Sequence, residues 1–168
     1  ALVRVCGLEG KPKKAHSIGF VLGPCINATG RLESAMLSLS LLEAEDLQQG
    51  IDIANQLKAL NENRKEMTEQ GMASAMNIIE QNKLYDKKVI VVYIPGLHES
   101  LAGIVAGRIR EKYYKPVFVV TDGESGLKGS ARSIPTYHIY DAMCEVKEVF
   151  EKFGGHALAA GFSLKPDC

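Results

Sequence analysis

The residues best suited to chemistry lie in two glycine-bearing stretches near the carboxyl end of the chain. The first is Gly129–Ser133, which reads Gly-Ser-Ala-Arg-Ser. An arginine guanidinium presents a planar fork of donors that matches phosphate oxygens. In a strand, Ser130 and Arg132 point to the same face because the side-chain period is two. We therefore predict that Ser130, Arg132 and Ser133 form a phosphate clasp; an edge strand carrying an ordinary arginine is the alternative.

The second stretch is Gly154, Gly155 and His156, followed by Ala-Leu-Ala-Ala-Gly as far as Gly161. Paired glycines leave backbone N–H groups open to an anion. The imidazole of His156 can donate to a phosphate or sugar oxygen. We predict a tight turn that lines an anion site. The alternative is a turn before a buried segment, with His156 serving only as its cap.

A third polar segment, Gly23–Arg31, precedes the longest helical pattern. Its Gly23-Pro24 pair predicts the end of a short apolar helical turn, followed by an irregular loop. Asn27 and Arg31 would present polar groups on that loop. The residues of this segment, taken alone, favour a structured hinge before the long helix.

Metal-binding patterns are not found in the sequence. It contains no Asp-His-His, His-x-Asp or Asp-x-Asp motif, so we expect no two-metal carboxylate site in this chain. The four cysteines, Cys6, Cys25, Cys144 and Cys168, are far apart and lack zinc-ligand spacing. We interpret them as reduced thiols of a cytoplasmic protein.

Composition and charge fit a globular protein. The 168 residues are 46% hydrophobic and carry a formal net charge of zero. Neutrality argues against broad binding to duplex nucleic acid, but it permits a local phosphate-binding cleft. The sequence has no apolar run long enough to predict a membrane span. It does not begin with Met, so we expect it to be part of a longer chain.

The first half of the chain reads as helical. Ser34 can cap a helix through Leu42, and Asp46 with Gln49 forms a capping-box pattern at the start of a long helix without proline. This long helix predicts a connector between two lobes, a member of a helical bundle or, less favoured, a dimerisation coil. The predicted regions are residues 1–45, a connector helix at 46–85 and a domain at 86–168.

The second half alternates between strand and helix patterns. It predicts an α/β fold with a small mixed sheet of about four to five strands, flanked by helices and preceded by helices that include the long connector. The expected strands lie at 89–94, 117–120, 127–133 and 161–164, and the expected helices at 99–112 and 140–150. The continuous apolar run of the first strand predicts that it is buried on both faces.

Together these motifs resemble the RecJ family of the DHH phosphoesterase superfamily. The Asn-Ala-x-Gly-Arg stretch within Gly23–Leu32 is similar to the segment that follows the family's catalytic domain, and the long helix to its interdomain connector. Val91–Leu164 resembles the DHH-associated C-terminal domain. The motifs that carry this likeness are Gly103–Arg108, Lys128–Ser133 and Gly154–Gly161.

The resemblance implies Mn²⁺- or Mg²⁺-dependent 5′→3′ degradation of single-stranded DNA in recombination and repair. The metals would sit in a preceding DHH domain, so this chain alone should be inactive. Ser130 and Arg132 would contact substrate phosphate. Gly154, Gly155 and His156 would line the cleft, and Asn27 and Arg31 would border its entry.

One departure and two alternatives accompany this reading. Cys25 stands where many relatives carry a basic residue, which puts one backbone contact in doubt. A DHH phosphoesterase acting on oligoribonucleotides or small nucleotides would use the same grip. A non-catalytic nucleic-acid-binding module is the other alternative. The oligomeric state is not predicted.

Overall fold

The computed structural model describes residues 1–12 and 14–166, and it divides the chain into two compact units. The first unit is Ala1–Glu66 and the second is Met67–Cys168. The boundary falls inside one long helix. In the described ranges no helix combines the length and the apolar character that crossing a bilayer requires.

The first unit is built from helices. A π-helical turn, Ile18–Leu22, lies between the second and third of them. The helices are α1 (Leu2–Val5), α2 (Ala15–Ser17), α3 (Gly23–Leu32), α4 (Ala35–Leu42) and the first part of α5 (Leu47–Gln81).

Helix α3 occupies the segment for which an irregular loop was predicted, and that prediction is wrong. Pro24 lies in the first turn of the helix. The π-helical turn Ile18–Leu22 directly precedes it, and the fixed φ of proline suits a helix. The Gly23-Pro24 pair therefore stands where two helical segments join and does not lead into a loop.

The starts of α4 and α5 follow the predicted capping chemistry. The Ser34 hydroxyl accepts from the Met36 N–H at 3.2 Å. The Asp46 carboxylate accepts from the Gln49 N–H at 2.8 Å, while the Gln49 side chain accepts from the Glu45 N–H at 3.2 Å. A single long helix of 35 residues follows, as expected for the fold class.

The second unit contains a five-stranded mixed sheet with the order β1-β2-β3-β5-β4. The β1–β2 pair is parallel, and the other neighbouring pairs are antiparallel. This confirms the predicted small mixed sheet. The strands are β1 (Ile90–Tyr93), β2 (Val117–Gly123), β3 (Gly126–Arg132), β4 (Phe150–His156) and β5 (Ala159–Leu164).

Two helices cover different parts of this sheet. Helix α6 (Glu99–Tyr113) connects the parallel strands β1 and β2 and packs on β2 and β3. Helix α7 (Ile139–Glu145) packs on the opposite face, where Ile139 and Met143 join a cluster with Phe150 and Phe162. Short 3₁₀ segments occur at Leu84–Asp86 and Lys147–Val149.

The apolar face of α6 forms the main core of the second unit. Leu101, Val105 and Ile109 are fully buried and pack with Val117 and Val119 of β2. Burial of a large aliphatic side chain contributes about 1.5–3 kcal/mol, so this cluster holds α6 firmly on the sheet. The same core includes Ala75 and Ile79 from the end of α5.

Two strand predictions need correction. The run 89–94 was expected to be buried on both faces, but β1 alternates, and Val91 and Tyr93 are exposed. The Gly154-Gly155-His156 stretch was expected to be a tight turn, but it forms the end of β4. The turn lies one step later, at 157–158. Regular strand structure therefore fixes where each of these three residues points.

Candidate nucleic-acid interface

Strands β3, β5 and β4 align polar and small residues in three rows on one sheet face, here called the open face. Directly paired residues in neighbouring strands point to the same side of a sheet, and residues two apart repeat that direction. The rows are Arg132–Ala159–His156, Ser130–Gly161–Gly154 and Lys128–Ser163–Lys152. The outer strands carry the longer side chains, and β5 between them carries only small ones.

The open face is shaped as a shallow trough. Two strand spacings separate the backbones of β3 and β4, which amounts to about 9.5 Å. Arg132 and His156 stand on opposite walls in the same row, with Ala159 between them. Gly154, Gly161, His156 and Lys152 are exposed, so the β4 side of the trough is open to solvent.

Helix α6 lies on the same side of the sheet as the open face and borders the trough along β3. Val117 and Val119, buried under α6, are paired with Arg132 and Ser130. At Gly103 of α6 an added Cβ would lie 2.5 Å from Arg132 Nη2 and 3.4 Å from Ser130 Oγ. The absence of a side chain at Gly103 therefore makes room for the arginine head group.

Arg132 is anchored by its own strand. Its Nη1 donates to the Ala131 carbonyl at 2.8 Å. The side chain is half-buried between α6 and the trough. A guanidinium has five N–H donors in a planar fork, a geometry that suits the oxygens of a phosphate.

Lys128 provides a second cation on the same wall. Its Nζ pairs with Glu99 Oε2 at 2.8 Å, at the first turn of α6. The hydrogen bond that Lys128 donates to Glu99 raises the pKa of Lys128 above its usual value, and the charges of Glu99 and Glu124 act in the same direction. The ammonium group is therefore kept charged, and Glu99 competes for it with any bound anion.

His156 offers one ring nitrogen to the trough. The Leu158 N–H donates to His156 Nδ1 at 3.3 Å. When Nδ1 accepts a hydrogen bond, a neutral imidazole carries its proton on Nε2. The exposed Nε2–H is then a donor available to a phosphate or sugar oxygen.

The paired glycines have different surroundings. At Gly154, on the open face, nothing lies within 4 Å of an added Cβ. At Gly155, on the opposite face, an added Cβ would lie 2.6 Å from Ala160 Cα. Gly155 is thus required by the close approach of β5, whereas Gly154 leaves the trough floor uncovered.

Ser133 is placed away from the open face. Its side chain is fully buried, and its hydroxyl donates to the Tyr137 carbonyl at 2.6 Å. Its N–H donates to the Leu158 carbonyl at 2.9 Å. Ser133 therefore holds the segment after β3 in place through these two hydrogen bonds. The prediction that it joins Ser130 and Arg132 in a phosphate clasp is corrected.

Asn27 and Arg31 lie in the first unit, on α3. They are four positions apart in a helix and therefore share one helix face. Asn27 is exposed and Arg31 is half-buried. Thr29, from the same stretch, is buried instead, and its hydroxyl donates to the Ile26 carbonyl at 2.8 Å.

Lys128, Lys152 and Ser163 are trough residues to which the sequence analysis assigned no role. Lys128 lies two positions before Ser130, and Lys152 lies two positions before Gly154. Side chains two positions apart in a strand point to the same face. Both lysines could therefore have been identified from the sequence if Gly154 had been assigned to a strand. Ser163 needs the β5 register, which the sequence does not supply.

Metal-ligating side chains are not clustered in the described residues. Across 1–12 and 14–166 no group of three or more His, Cys, Asp or Glu side chains is arranged to hold a metal ion. These residues therefore do not fit a divalent-metal centre, and no step of hydrolysis is assigned to them.

The fold and the trough define a class of domain. The sequence model of the DHHA1 domain matches residues 86–168, which include the whole sheet and both covering helices. The chain is 37% identical to the single-stranded-DNA-specific exonuclease RecJ of Escherichia coli over 176 residues, covering 99% of this chain and 30% of that protein. It is 34% identical to RecJ of Bacillus subtilis, covering 99% of this chain and 21% of that protein.

Solved structures give the same result. A crystal structure of exonuclease RecJ bound to manganese matches with a TM-score of 0.84 at 32% identity, covering 99% of this chain and 40% of that one. RecJ of Thermus thermophilus in complex with Mg²⁺ matches with a TM-score of 0.81 at 30% identity, covering 99% of this chain and 25% of that one. The chain belongs to the RecJ family. It spans less than a third of the length of the curated relatives named above.

Proposed function

We propose that this chain is the substrate-binding, C-terminal part of a 5′→3′ exonuclease for single-stranded DNA that acts in recombination and repair in the cytoplasm. The observation that carries the proposal is the shared orientation of Arg132, Ser130 and His156 on the open face. These groups can all donate to anionic oxygens.

The shape of the trough supports a strand of nucleic acid as the occupant. Donors and cations stand on both walls, while β5 presents Ala159, Gly161 and Ser163 along the floor. A floor of small residues leaves room for a continuous sugar-phosphate chain lying along β5. A guanidinium fork favours phosphate over other anions because its donor geometry matches two oxygens.

Membership of the RecJ family supports the proposed exonuclease reaction. The relatives from Escherichia coli and Bacillus subtilis are named single-stranded-DNA-specific exonucleases, and the solved relatives were obtained with Mn²⁺ or Mg²⁺. In our proposal the Mn²⁺ or Mg²⁺ ions are held by a DHH domain in the same polypeptide. Residues 86–168 hold the DNA, residues 46–85 connect, and residues 1–45 follow the DHH domain.

Arg132→Ala tests the proposal through binding of the 168-residue chain to fluorescent oligodeoxythymidylate, measured by anisotropy at low salt. Loss of a charge-assisted hydrogen bond costs about 1–3 kcal/mol, which corresponds to an affinity lower by about 5- to 150-fold. Lys147→Ala is the matched control because it removes one positive charge from the 3₁₀ segment after α7, a helix that covers the other face.

The two variants must differ in their affinity for DNA for the proposal to hold. Equal affinities for Arg132→Ala and Lys147→Ala would remove Arg132 from the site. The same titration with an oligoribonucleotide and with a dinucleotide gives the substrate class. Tighter binding of either of these than of the DNA strand would contradict single-stranded DNA as the preferred ligand.

A further inference from the structure

Two cysteines that are distant in sequence lie side by side in the first unit. The Sγ atoms of Cys6 and Cys25 are 3.9 Å apart, although the residues are 19 positions apart along the chain. Cys6 is the C-cap of α1, and Cys25 lies in the first turn of α3. Cys25 is 2% exposed, whereas Cys6 is partly exposed.

We propose that Cys6 and Cys25 are a thiol–disulfide modification site, which closes into an intramolecular disulfide on reaction with a small-molecule disulfide such as oxidised glutathione. A disulfide has an S–S distance of about 2.0 Å. The two sulfur atoms must therefore approach by about 2 Å, a movement on the scale of side-chain rotation about the Cα–Cβ bonds.

The different surroundings of the two thiols set the order of the reaction. Burial raises the pKa of Cys25 to about 11, and the neighbouring Cys6 acts in the same direction. Cys25 is therefore a protonated, poorly nucleophilic thiol at neutral pH. Cys6 is more accessible to solvent and is the sulfur that meets the oxidant first.

The chemistry balances without any further reactant. The Cys6 thiolate attacks one sulfur of oxidised glutathione, its S–S bond breaks, and one glutathione thiolate leaves. The Cys25 sulfur then attacks Cys6 in the mixed disulfide and releases the second glutathione thiolate. The two protons lost by the protein thiols are taken up by the two leaving thiolates, so the protein is oxidised by two electrons and the glutathione disulfide is reduced.

The disulfide would connect the end of α1 to the start of α3. The loop it closes contains α2 and the π-helical turn Ile18–Leu22. Closing a loop reduces the entropy of the unfolded chain, so the oxidised form should unfold at a higher temperature than the reduced form. This inference rests on the first unit alone and does not depend on DNA binding.

The test uses the 168-residue chain with Cys144→Ser and Cys168→Ser, so that only Cys6 and Cys25 remain. Oxidised glutathione is added at a concentration that converts the exposed Cys144 of the unsubstituted chain to its mixed disulfide. We expect the number of free thiols to fall from two to zero, with a mass loss of two hydrogens that dithiothreitol reverses.

Single replacements in the same background identify the order of attack. With Cys25→Ser, Cys6 should retain one glutathione as a stable adduct. With Cys6→Ser, Cys25 should remain a free thiol. Two persistent thiols in the parent, or a disulfide between two chains on a non-reducing gel, would overturn the proposal; glutathione on Cys25 and none on Cys6 would overturn the order.

Discussion

At the scale of single residues, the candidate site depends on where the Arg132 guanidinium is held. It lies against Gly103 of α6 and donates to the Ala131 carbonyl. Both neighbours are backbone features of rigid elements, since α6 is fixed by its buried apolar face. An arginine placed in this way loses less side-chain entropy when it binds an anion than one that is mobile in solution.

Gly103→Ala tests this positioning without removing any charge. The added Cβ would lie 2.5 Å from Arg132 Nη2, the far end of a flexible side chain. We expect the protein to fold and the guanidinium to be displaced, so that affinity for single-stranded DNA falls several-fold. DNA titration measures the change in affinity, and circular dichroism checks that the variant is folded.

Gly107→Ala is the matched control for that experiment. It lies on the same helix, and nothing lies within 4 Å of its added Cβ. It should leave DNA affinity unchanged and slightly raise helix stability, by about 0.5–1 kcal/mol. An equal loss of affinity in both variants would show that the helix itself, and not the position of Arg132, was disturbed.

The sequence predicted some of these residues for sound physical reasons and placed others wrongly. Alternation in a strand was enough to place Ser130 and Arg132 on one face. Gly-Gly-His was assigned to a turn because paired glycines favour turns in general, and pairing of β4 with β5 overrides that preference. The burial of Ser133 depends on contacts with Tyr137, which no local pattern reveals.

At the scale of elements, Asp122 near the end of β2 holds the loop between β1 and α6. The Tyr93 hydroxyl donates to Asp122 Oδ1 at 2.7 Å, and the Gly96 N–H donates to Oδ2 at 2.9 Å. The hydrogen bond from Tyr93, and then that from Gly96, lowers the pKa of Asp122. This loop leads directly into the first turn of α6, where Glu99 pairs with Lys128.

Asp122→Asn should therefore change stability in a pH-dependent way. A carboxyl group with a lowered folded-state pKa contributes stability above its unfolded pKa of about 4, and that contribution is lost as the pH falls through the folded value. We expect the wild-type chain to have the higher free energy of unfolding at pH 7 and the difference to shrink below about pH 4. Urea titrations at several pH values measure it. A difference that is constant with pH would exclude the carboxylate as its cause.

Helix starts that carry a local capping signal were easier to predict than the start of α3, which follows a π-helical turn. The capping signals of Ser34 and Asp46 identified the starts of α4 and α5 because the cap is a local hydrogen bond. Pro24 was interpreted as a break, since proline disrupts helix interiors. Pro24 lies in the first turn of α3 because α3 begins directly after the π-helical turn Ile18–Leu22. The sequence does not show where that boundary falls.

At the scale of the whole molecule, the chain covers only part of the enzymes it resembles. It matches 21–30% of the length of the curated relatives from Escherichia coli and Bacillus subtilis. Among residues 1–12 and 14–166, no metal-binding cluster of three or more ligating side chains occurs. DNA binding by this chain and DNA hydrolysis can therefore be tested separately.

We expect the purified 168-residue chain to bind labelled single-stranded DNA without degrading it in the presence of Mn²⁺. Denaturing gel electrophoresis of the DNA after prolonged incubation measures this. A mock purification from cells lacking the expression plasmid controls for host nucleases. Degradation that co-purifies with the chain and is abolished by chelation of Mn²⁺ would disprove the separation of binding from hydrolysis.

In our proposal the open face of β3, β5 and β4 receives the DNA strand. The most direct test is amide chemical-shift mapping of the ¹⁵N-labelled chain titrated with oligodeoxythymidylate. We expect the largest shifts at Gly154, His156 and Gly161, on the exposed part of the trough. Shifts confined to α7 and the sheet face beneath it, with these three amides unchanged, would contradict it.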